Sequence, residues 1–297
     1  MPDLTEDYWA LRKDAGAVWL PRDFIEVDGL DAESFLQGQL SQDLEQLKPG
    51  ESAWSFLLQP QGKVDALLRV RRSEDTFELD VDGGWGEAVL ARLERFKLRV
   101  NVLLIPNPTL RCLALRGPAA REAAAAVRAV KNDVDWPGLQ GVDIIGPEPA
   151  VPEGVRLCDL QAYEAVRIEA GVPMMGREID EKTIPAETGV VDRAVSFTKG
   201  CFTGQELVAR IDSRGGNVPR HLRGLVVGTN VVPPVGAVVE ADGKEVGAVT
   251  SVGESLERRA PVALAYVRRA VEPPADVTIT WDGGSAPARV EELPLVH

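Results

Sequence analysis

A mixed α and β body followed by an all-β terminal domain is the fold class that this 297-residue sequence predicts, and three observations predict it. Strand and helix patterns follow one another from Phe24 onward, and that pattern partly restarts near residue 107. Beyond Gly215-Gly216, six short valine-rich stretches follow, separated by turn residues and with no helix between them. These place a boundary near Val218, with a body over 1–217, a second lobe from about residue 107, and a small barrel or sandwich over 218–297.

Each element has its own reason. Phe24 to Val27 reads as a strand and Asp28-Gly29 as a turn into a helix, where Ala32, Phe35, Leu36 and Leu40 recur on one face. Ala53 to Leu58 is a second strand, and Pro60-Gln61-Gly62 turns the chain into a third at Val64 to Arg71. Thr76 to Val81 follows, with Phe77, Leu79 and Val81 alternating onto one side. A helix then carries Val89, Leu93 and Phe96 and ends before a strand at Val100 to Ile105. After the restart, Leu110 to Leu115 is a strand and an alanine-rich helix runs to about Val130. The stretch from Trp136 to Pro152 reads as irregular, with one strand at Val142 to Ile145. Leu160, Tyr163, Arg167, Ile168 and Ala170 predict a helix stopped by Gly171. Residues 173–196 lack periodicity and read as a long loop.

Composition narrows the chemistry. Apolar residues at 44% and charged residues at 27% are globular values. A formal charge of −13 argues against a direct nucleic-acid role, because phosphate binding needs a basic field. The acidic opening Met1 to Asp7 lacks the apolar core of a secretory signal, and no stretch is apolar enough to span a bilayer. Cys112, Cys158 and Cys201 are widely spaced, which suits a reducing cytoplasm and offers neither a disulfide framework nor a metal knuckle. His221 and His297 are the only histidines, so most His-dependent catalysis and metal ligation drop out. Carboxylates, one thiol or a bound cofactor remain.

Four segments could carry that chemistry. In Lys199-Gly200-Cys201-Phe202-Thr203-Gly204-Gln205-Glu206, the cysteine lies between flexible glycines, near an ammonium and ahead of a helix with Thr203 as cap and Glu206 three residues on. A helix start and a cation both favour the thiolate; a capped helix with a small buried cysteine is the alternative. Glu169, in the last turn of its predicted helix, sits where the dipole disfavours negative charge and needs a partner. That partner is either a planar ligand with two adjacent N–H donors or a basic residue such as Arg167. The acids Glu178, Asp180 and Glu181 do not follow a calcium-loop pattern and read as a solvated loop. Asp65 lies in an otherwise apolar strand; pointing inward it needs hydrogen bonds or a raised pKa, and pointing outward it is ordinary.

Taken together, these segments resemble the YgfZ branch of the folate-binding superfamily that also contains the aminomethyltransferase T-protein of the glycine cleavage system. Asp28 to Gln37 is similar to the family's entry helix, Arg167 to Gly171 to its pterin-meeting segment, and Ile179 to Gly189 to its central loop. Lys199 to Glu206 is similar to the YgfZ signature, whose cysteine T-proteins lack. The resemblance implies an α+β folate-binding body of interleaved lobes with ferredoxin-like parts around a central opening, plus a C-terminal β-barrel. It also implies tetrahydrofolate or a one-carbon derivative as cofactor, with Glu169, Gly200, Gly204, Gln205 and Glu206 in its binding. Cys201, Lys199 and Asp65 would carry chemistry in assembling or repairing iron-sulfur client proteins, tRNA-modifying enzymes among them. No ligand set for a permanent cluster is visible. Two other readings stay open: one-carbon transfer of the T-protein kind, with Asp65 aligning the acceptor nitrogen, and a folate-binding module without chemistry. T-proteins usually carry paired acids where this chain has Asp65-Ala66.

Overall fold

The structure, a computed structural model, describes residues 3–296. The chain forms two compact units and passes between them repeatedly. One unit comprises Met1–Leu20, Cys112–Pro173 and Pro219–His297; the other comprises Pro21–Arg111 and Met174–Val218.

The first unit opens with α1 (Leu4–Lys13) and β1 (Gly16–Leu20). The second takes over with β2 (Arg22–Asp28), α2 (Ala32–Gln39), β3 (Ser52–Leu58), β4 (Val64–Arg72), β5 (Phe77–Asp82), α3 (Gly86–Phe96) and β6 (Leu103–Pro106). The chain then returns to the first with β7 (Arg111–Arg116), α4 (Ala120–Ala124), β8 (Val130–Trp136), β9 (Leu139–Gly146), β10 (Arg156–Leu157) and α5 (Leu160–Ala170). A 3-10 turn (Pro185–Glu187), α6 (Val191–Ala194) and α7 (Gln205–Asp212) complete the second unit. Strands β11 (Arg220–Val227), β12 (Val238–Ala241), β13 (Lys244–Ser255), β14 (Ala260–Arg268), β15 (Ala275–Trp281) and β16 (Gly284–Glu291) complete the first.

The six terminal strands close into a barrel in the order β11-β14-β13-β12-β15-β16, so the predicted all-β end is a barrel rather than a sandwich. Its interior is filled by Leu225, Val239, Val249, Ala265, Ile279, Val290 and their neighbours. Alternation along each strand sends every second side chain inward, which is why short valine-rich stretches suffice. A five-stranded sheet, β10-β1-β7-β9-β8, makes up the rest of the strand structure in this unit. Helix α5 lies against α1, β13 and β14. It is therefore buried on nearly every side, from Ala162 and Tyr163 through Ala165 to Ala170. Gly253 permits the approach: a Cβ there would sit 3.1 Å from the Ala165 Cα. Gly171 ends the helix in the left-handed region at φ 72°, as the sequence predicts.

The second unit holds a five-stranded sheet in the order β3-β4-β5-β2-β6. Val27, Leu68, Val70, Leu79 and Val81 are buried, while Trp54, Arg69, Arg71, Glu26, Glu78 and Asp80 alternate with them along the strands. The register sets Arg69 opposite Asp80, Arg71 opposite Glu78, and Glu78 opposite Glu26.

Several elements differ from the sequence-based expectation. The opening segment forms α1 and β1 rather than an unassigned lead-in. The alanine-rich helix is only five residues long, and the chain pairs as β8 from Val130 to Trp136, a stretch the sequence assigns partly to helix end and partly to irregular chain. Lys131, Asp133 and Asp135 alternate with Asn132, Val134 and Trp136, so this edge strand buries polar Asn132 where a strand pattern would want an apolar residue. Among the described residues no helix is long and apolar enough to cross a membrane.

Candidate functional site

The cysteine segment sits in the second unit as a tight turn ahead of α7. Helix α2 ends at Gln39 with carbonyls that lack helical partners. Lys199 supplies them: its Nζ donates to the carbonyl oxygens of Gln37 at 2.7 Å, Leu40 at 2.7 Å and Gln42 at 2.8 Å. These bonds use all three donors of the ammonium. Burial pushes the Lys199 pKa down to about 8, while Asp43 and Glu45 act the other way. Next, the Thr203 N–H donates to the Gly38 carbonyl at 3.0 Å, fastening the turn to the same helix. Lys199 is thus a cap for α2, its donors directed to carbonyls and not to the Cys201 sulfur.

The helix start also differs from its expected form. The cap residue of α7 is Gly204, in the left-handed region at φ 82° with no side-chain cap, and not Thr203. The Gln205 side chain instead accepts the Phe202 N–H at 3.1 Å, and Glu206 is exposed in the first turn. Gly204 is required by contact: a Cβ there would lie 2.5 Å from the Gln59 carbonyl and 2.8 Å from Leu58 Cβ. Its counterpart Gly62 would place a Cβ 2.4 Å from Leu207 Cβ. The β3–β4 turn and the start of α7 are therefore pressed together through two glycines. Gly200, by contrast, keeps an ordinary φ and has open space beside it. Cys201 stands exposed on this fastened turn, whereas Cys112 and Cys158 are buried. Exposure disposes of the buried-cysteine alternative.

Asp65 lies just beyond the same turn. Leu57 pairs with Ala66 and Leu58 with Val64, so Asp65 is the extra residue of a β-bulge, a device that re-aims a side chain. Its Oδ2 accepts from Arg92 Nε at 2.9 Å, and Arg92 also donates to the Leu58 carbonyl at 2.8 Å and to Gln39 Oε1 at 3.2 Å. Burial lowers the Arg92 pKa and Asp65 opposes the shift. The structure therefore links Asp65, through Arg92 and Gln39, to the helix whose end Lys199 caps. Arg92 and Gln39 carry no motif in the sequence; only the bulge makes them neighbours.

Glu169 belongs to the first unit and is fully buried. Tyr8 donates its hydroxyl to Oε1 at 2.6 Å, and Arg12 donates Nε to Oε2 at 2.8 Å, with Nη2 on the same oxygen. Arg12 also reaches the Gly138 carbonyl, and Leu295 donates its N–H to the Glu169 carbonyl at 2.6 Å. The partner it needs at a helix C-terminus is thus an arginine from α1, not Arg167, which bonds Val172 and Ser251. This corrects the expectation of a pterin contact: no Glu169 surface is accessible and both oxygens are occupied.

A polar set that the motifs do not reveal lies on the charged side of the second unit's sheet. Two guanidinium groups approach the Trp54 ring, with Arg22 5.8 Å and Arg69 5.5 Å from its centroid. Arg69 Nε pairs with Asp80 at 2.8 Å, and Arg22 pairs with Asp80 and Asp82. Beside them, Glu78 Oε1 and Arg71 Nε are buried without a hydrogen-bond partner. Burial, joined by the charge of Asp80, raises the Glu78 carboxyl to about 7 against the pull of Arg71 and Arg69.

Comparison with known proteins adds a family context. Residues 4–143 match the GCVT N-terminal domain and residues 220–297 the glycine cleavage T-protein C-terminal barrel domain. The tRNA-modifying protein YgfZ of Edwardsiella ictaluri is 28% identical over 67% of this chain and 66% of its own length, just under two thirds. The aminomethyltransferase of Halalkalibacterium halodurans is 26% identical over 89% of this chain and 82% of its own. In three dimensions the chain is similar to the crystal structure of glycine cleavage system aminomethyltransferase T from Bartonella henselae. That match has a TM-score of 0.84 at 25% identity, covering 99% of this chain and 89% of the other.

Proposed function

Because the chain belongs to the GcvT-like superfamily, we propose that it binds tetrahydrofolate or a one-carbon derivative and uses Cys201 in assembling or repairing iron-sulfur proteins, tRNA-modifying enzymes among them. One observation carries this reading: an exposed thiol held on a turn that Lys199 and Thr203 fasten to the end of α2 and Gly204 presses against the β3–β4 turn. A surface cysteine with only packing to do has no need of that fastening.

The residues around Trp54 fit a reduced pteridine. Its adjacent ring N–H and amino donors suit a carboxylate with a free oxygen such as Glu78, its carbonyl suits Arg71 Nε, and its flat face suits an indole. When bound, the folate supplies nitrogens that carry a one-carbon unit. The chain's own residues orient the ring, and burial keeps the Glu78 carboxyl titrating at about 7. In a tetrahydrofolate titration, Trp54→Ala is expected to weaken binding about tenfold or more, as loss of a stacking anchor does. Unchanged affinity would move the folate elsewhere. Glu169→Gln is unsuited to this experiment, since it disturbs a buried ion pair.

The test of the cysteine is cellular and chemical. In cells lacking the protein, Cys201→Ala is expected to restore less than about a tenth of the iron-sulfur enzyme activity that wild type restores, in line with removal of a nucleophilic group. Iodoacetamide at neutral pH should label Cys201 in the folded protein before Cys112 or Cys158; burial and Asp7 push the Cys158 thiol up to about 12. Full rescue by the alanine variant refutes the proposal.

Asp65 supports a second reading, aminomethyl transfer. It is a carboxylate aimed by a bulge and held by one arginine, as a residue aligning an acceptor nitrogen would be. That reading predicts methylene-tetrahydrofolate formation from an aminomethyl donor, falling about a hundredfold in Asp65→Asn. Absence of turnover with wild type counts against it.

A further inference from the structure

Beside α7 the second unit has a cavity of about 220 Å³. Its apolar walls come from Ile184, Pro185, Val191, Phe197, Val208 and Ile211. Helix α7 touches both features: Leu207 packs on Gly62, while Val208 and Ile211, three residues apart, line the cavity. Phe197 is 47% exposed at its edge. Two carboxylates on the lining, Asp192 and Asp212, are exposed and make no ion pair among the described residues.

We propose that this groove is a docking site for a polypeptide segment that inserts one apolar side chain and sets a lysine or arginine against Asp192 and Asp212. The inference rests on the reading that the Cys201 turn serves a protein client. Size selects the occupant. Small-molecule sites usually enclose about 300–1,000 Å³. A groove of 220 Å³ suits a single anchor residue instead. Charge selects its flank: both lining acids lack a cation of their own, and a net charge of −13 steers basic partners toward the protein. Position supplies the purpose. Phe197 lies four residues before Cys201 and α7 begins at Gln205, four residues after it, so a segment seated here is held beside the chain that carries the thiol.

The test is to pan a random linear peptide library on the folded wild-type protein without folate. Enriched peptides are expected to carry an aromatic or branched apolar residue next to lysine or arginine. A synthetic copy of one should bind Ile211→Arg about tenfold or more weakly, the scale of a lost anchor pocket. The Asp192→Asn/Asp212→Asn double variant should weaken it about threefold, with a flatter salt dependence. Phe197→Ser, at an exposed position, repeats the anchor test should Ile211→Arg unfold. Three results overturn the inference: no enrichment, enriched peptides that bind both apolar variants as tightly as wild type, or a dimer that those variants abolish, which would make a second copy the occupant. Peptide binding is also read on Cys201→Ala. A cysteine without a role would remove the client reading and leave this measurement intact.

Discussion

Glu169→Ala is expected to cost about 3–5 kcal/mol of folding stability, the range for removing one partner of a buried ion pair. The magnitude follows from what stays behind. Arg12 is only 7% exposed in its side chain, and its fork would face the space vacated by the carboxylate. Glu257 lies 3.8 Å from Arg12 but is shared with Lys13, so it offers little compensation. The Tyr8 hydroxyl would lose its acceptor as well; burial and the Glu169 carboxylate together raise its pKa to about 12, so it stays a donor throughout the neutral range. Tyr8→Phe, which removes the bond to the Glu169 carboxylate and the acceptor of the Glu257 N–H, should cost about 1.5–3 kcal/mol. Urea unfolding of the two variants beside wild type gives both values. A loss below about 1 kcal/mol for Glu169→Ala would mean that the network contributes little to holding α1 on α5.

Glu78→Gln should act in the opposite direction. Glu78 titrates near 4.5 in the unfolded chain and at about 7 in the folded one, because burial and Asp80 disfavour its charged form. Between those values the folded state holds a proton that the unfolded state has released, so this residue's contribution to stability falls as the pH rises from about 4.5 through about 7. Above that window the ionised carboxylate is a net cost on the order of 2–3 kcal/mol. Glutamine mimics the neutral acid. The variant should match wild type near pH 4.5 and exceed it by about 2 kcal/mol at pH 8, measured by urea unfolding at both values. Equal stability at pH 8 would show that Glu78 ionises without penalty. A stabilising change at a folate contact would also fit a site that keeps an unsatisfied acid for a ligand.

Much of this architecture is legible in the residues. The barrel strands announce themselves because each is half-buried and bounded by turn residues, and Gly171 marks the end of α5 because only glycine enters the left-handed region freely. Helix α1 also carries its signals, with Asp3 capping, Glu6 and Asp7 in the first turn, and Arg12 and Lys13 in the last. They go unread in the sequence because Leu4, Tyr8 and Leu11 form too short an apolar stripe. Strand β8 is obscured by Lys131, Asp133 and Asp135 and by a buried asparagine.

The site is legible only in part. The segment from Lys199 to Glu206 stands out, yet the ammonium's destination depends on the end of α2, more than 150 residues earlier in the chain. Glu169 is rightly singled out as needing a partner; the partner lies in α1, a distance that no local pattern encodes. The charged side of the sheet could have been found. Arg69 and Arg71 alternate with Leu68 and Val70, and Glu78 and Asp80 with Leu79 and Val81, but attention falls naturally on the apolar half of such a strand.

The first unit is stitched from segments at both ends of the polypeptide, and this bears on how the protein is made. As the nascent chain leaves the ribosome, α1 emerges well before the groups that neutralise its polar face, Glu169 and Glu257. Until then Tyr8 and Arg12 have nothing to grip. The second unit, whose last residue is Val218, can finish folding while the barrel is still being translated. Synthesis order alone would thus assemble the cysteine-bearing unit ahead of the barrel-bearing one, with α1 waiting for the barrel.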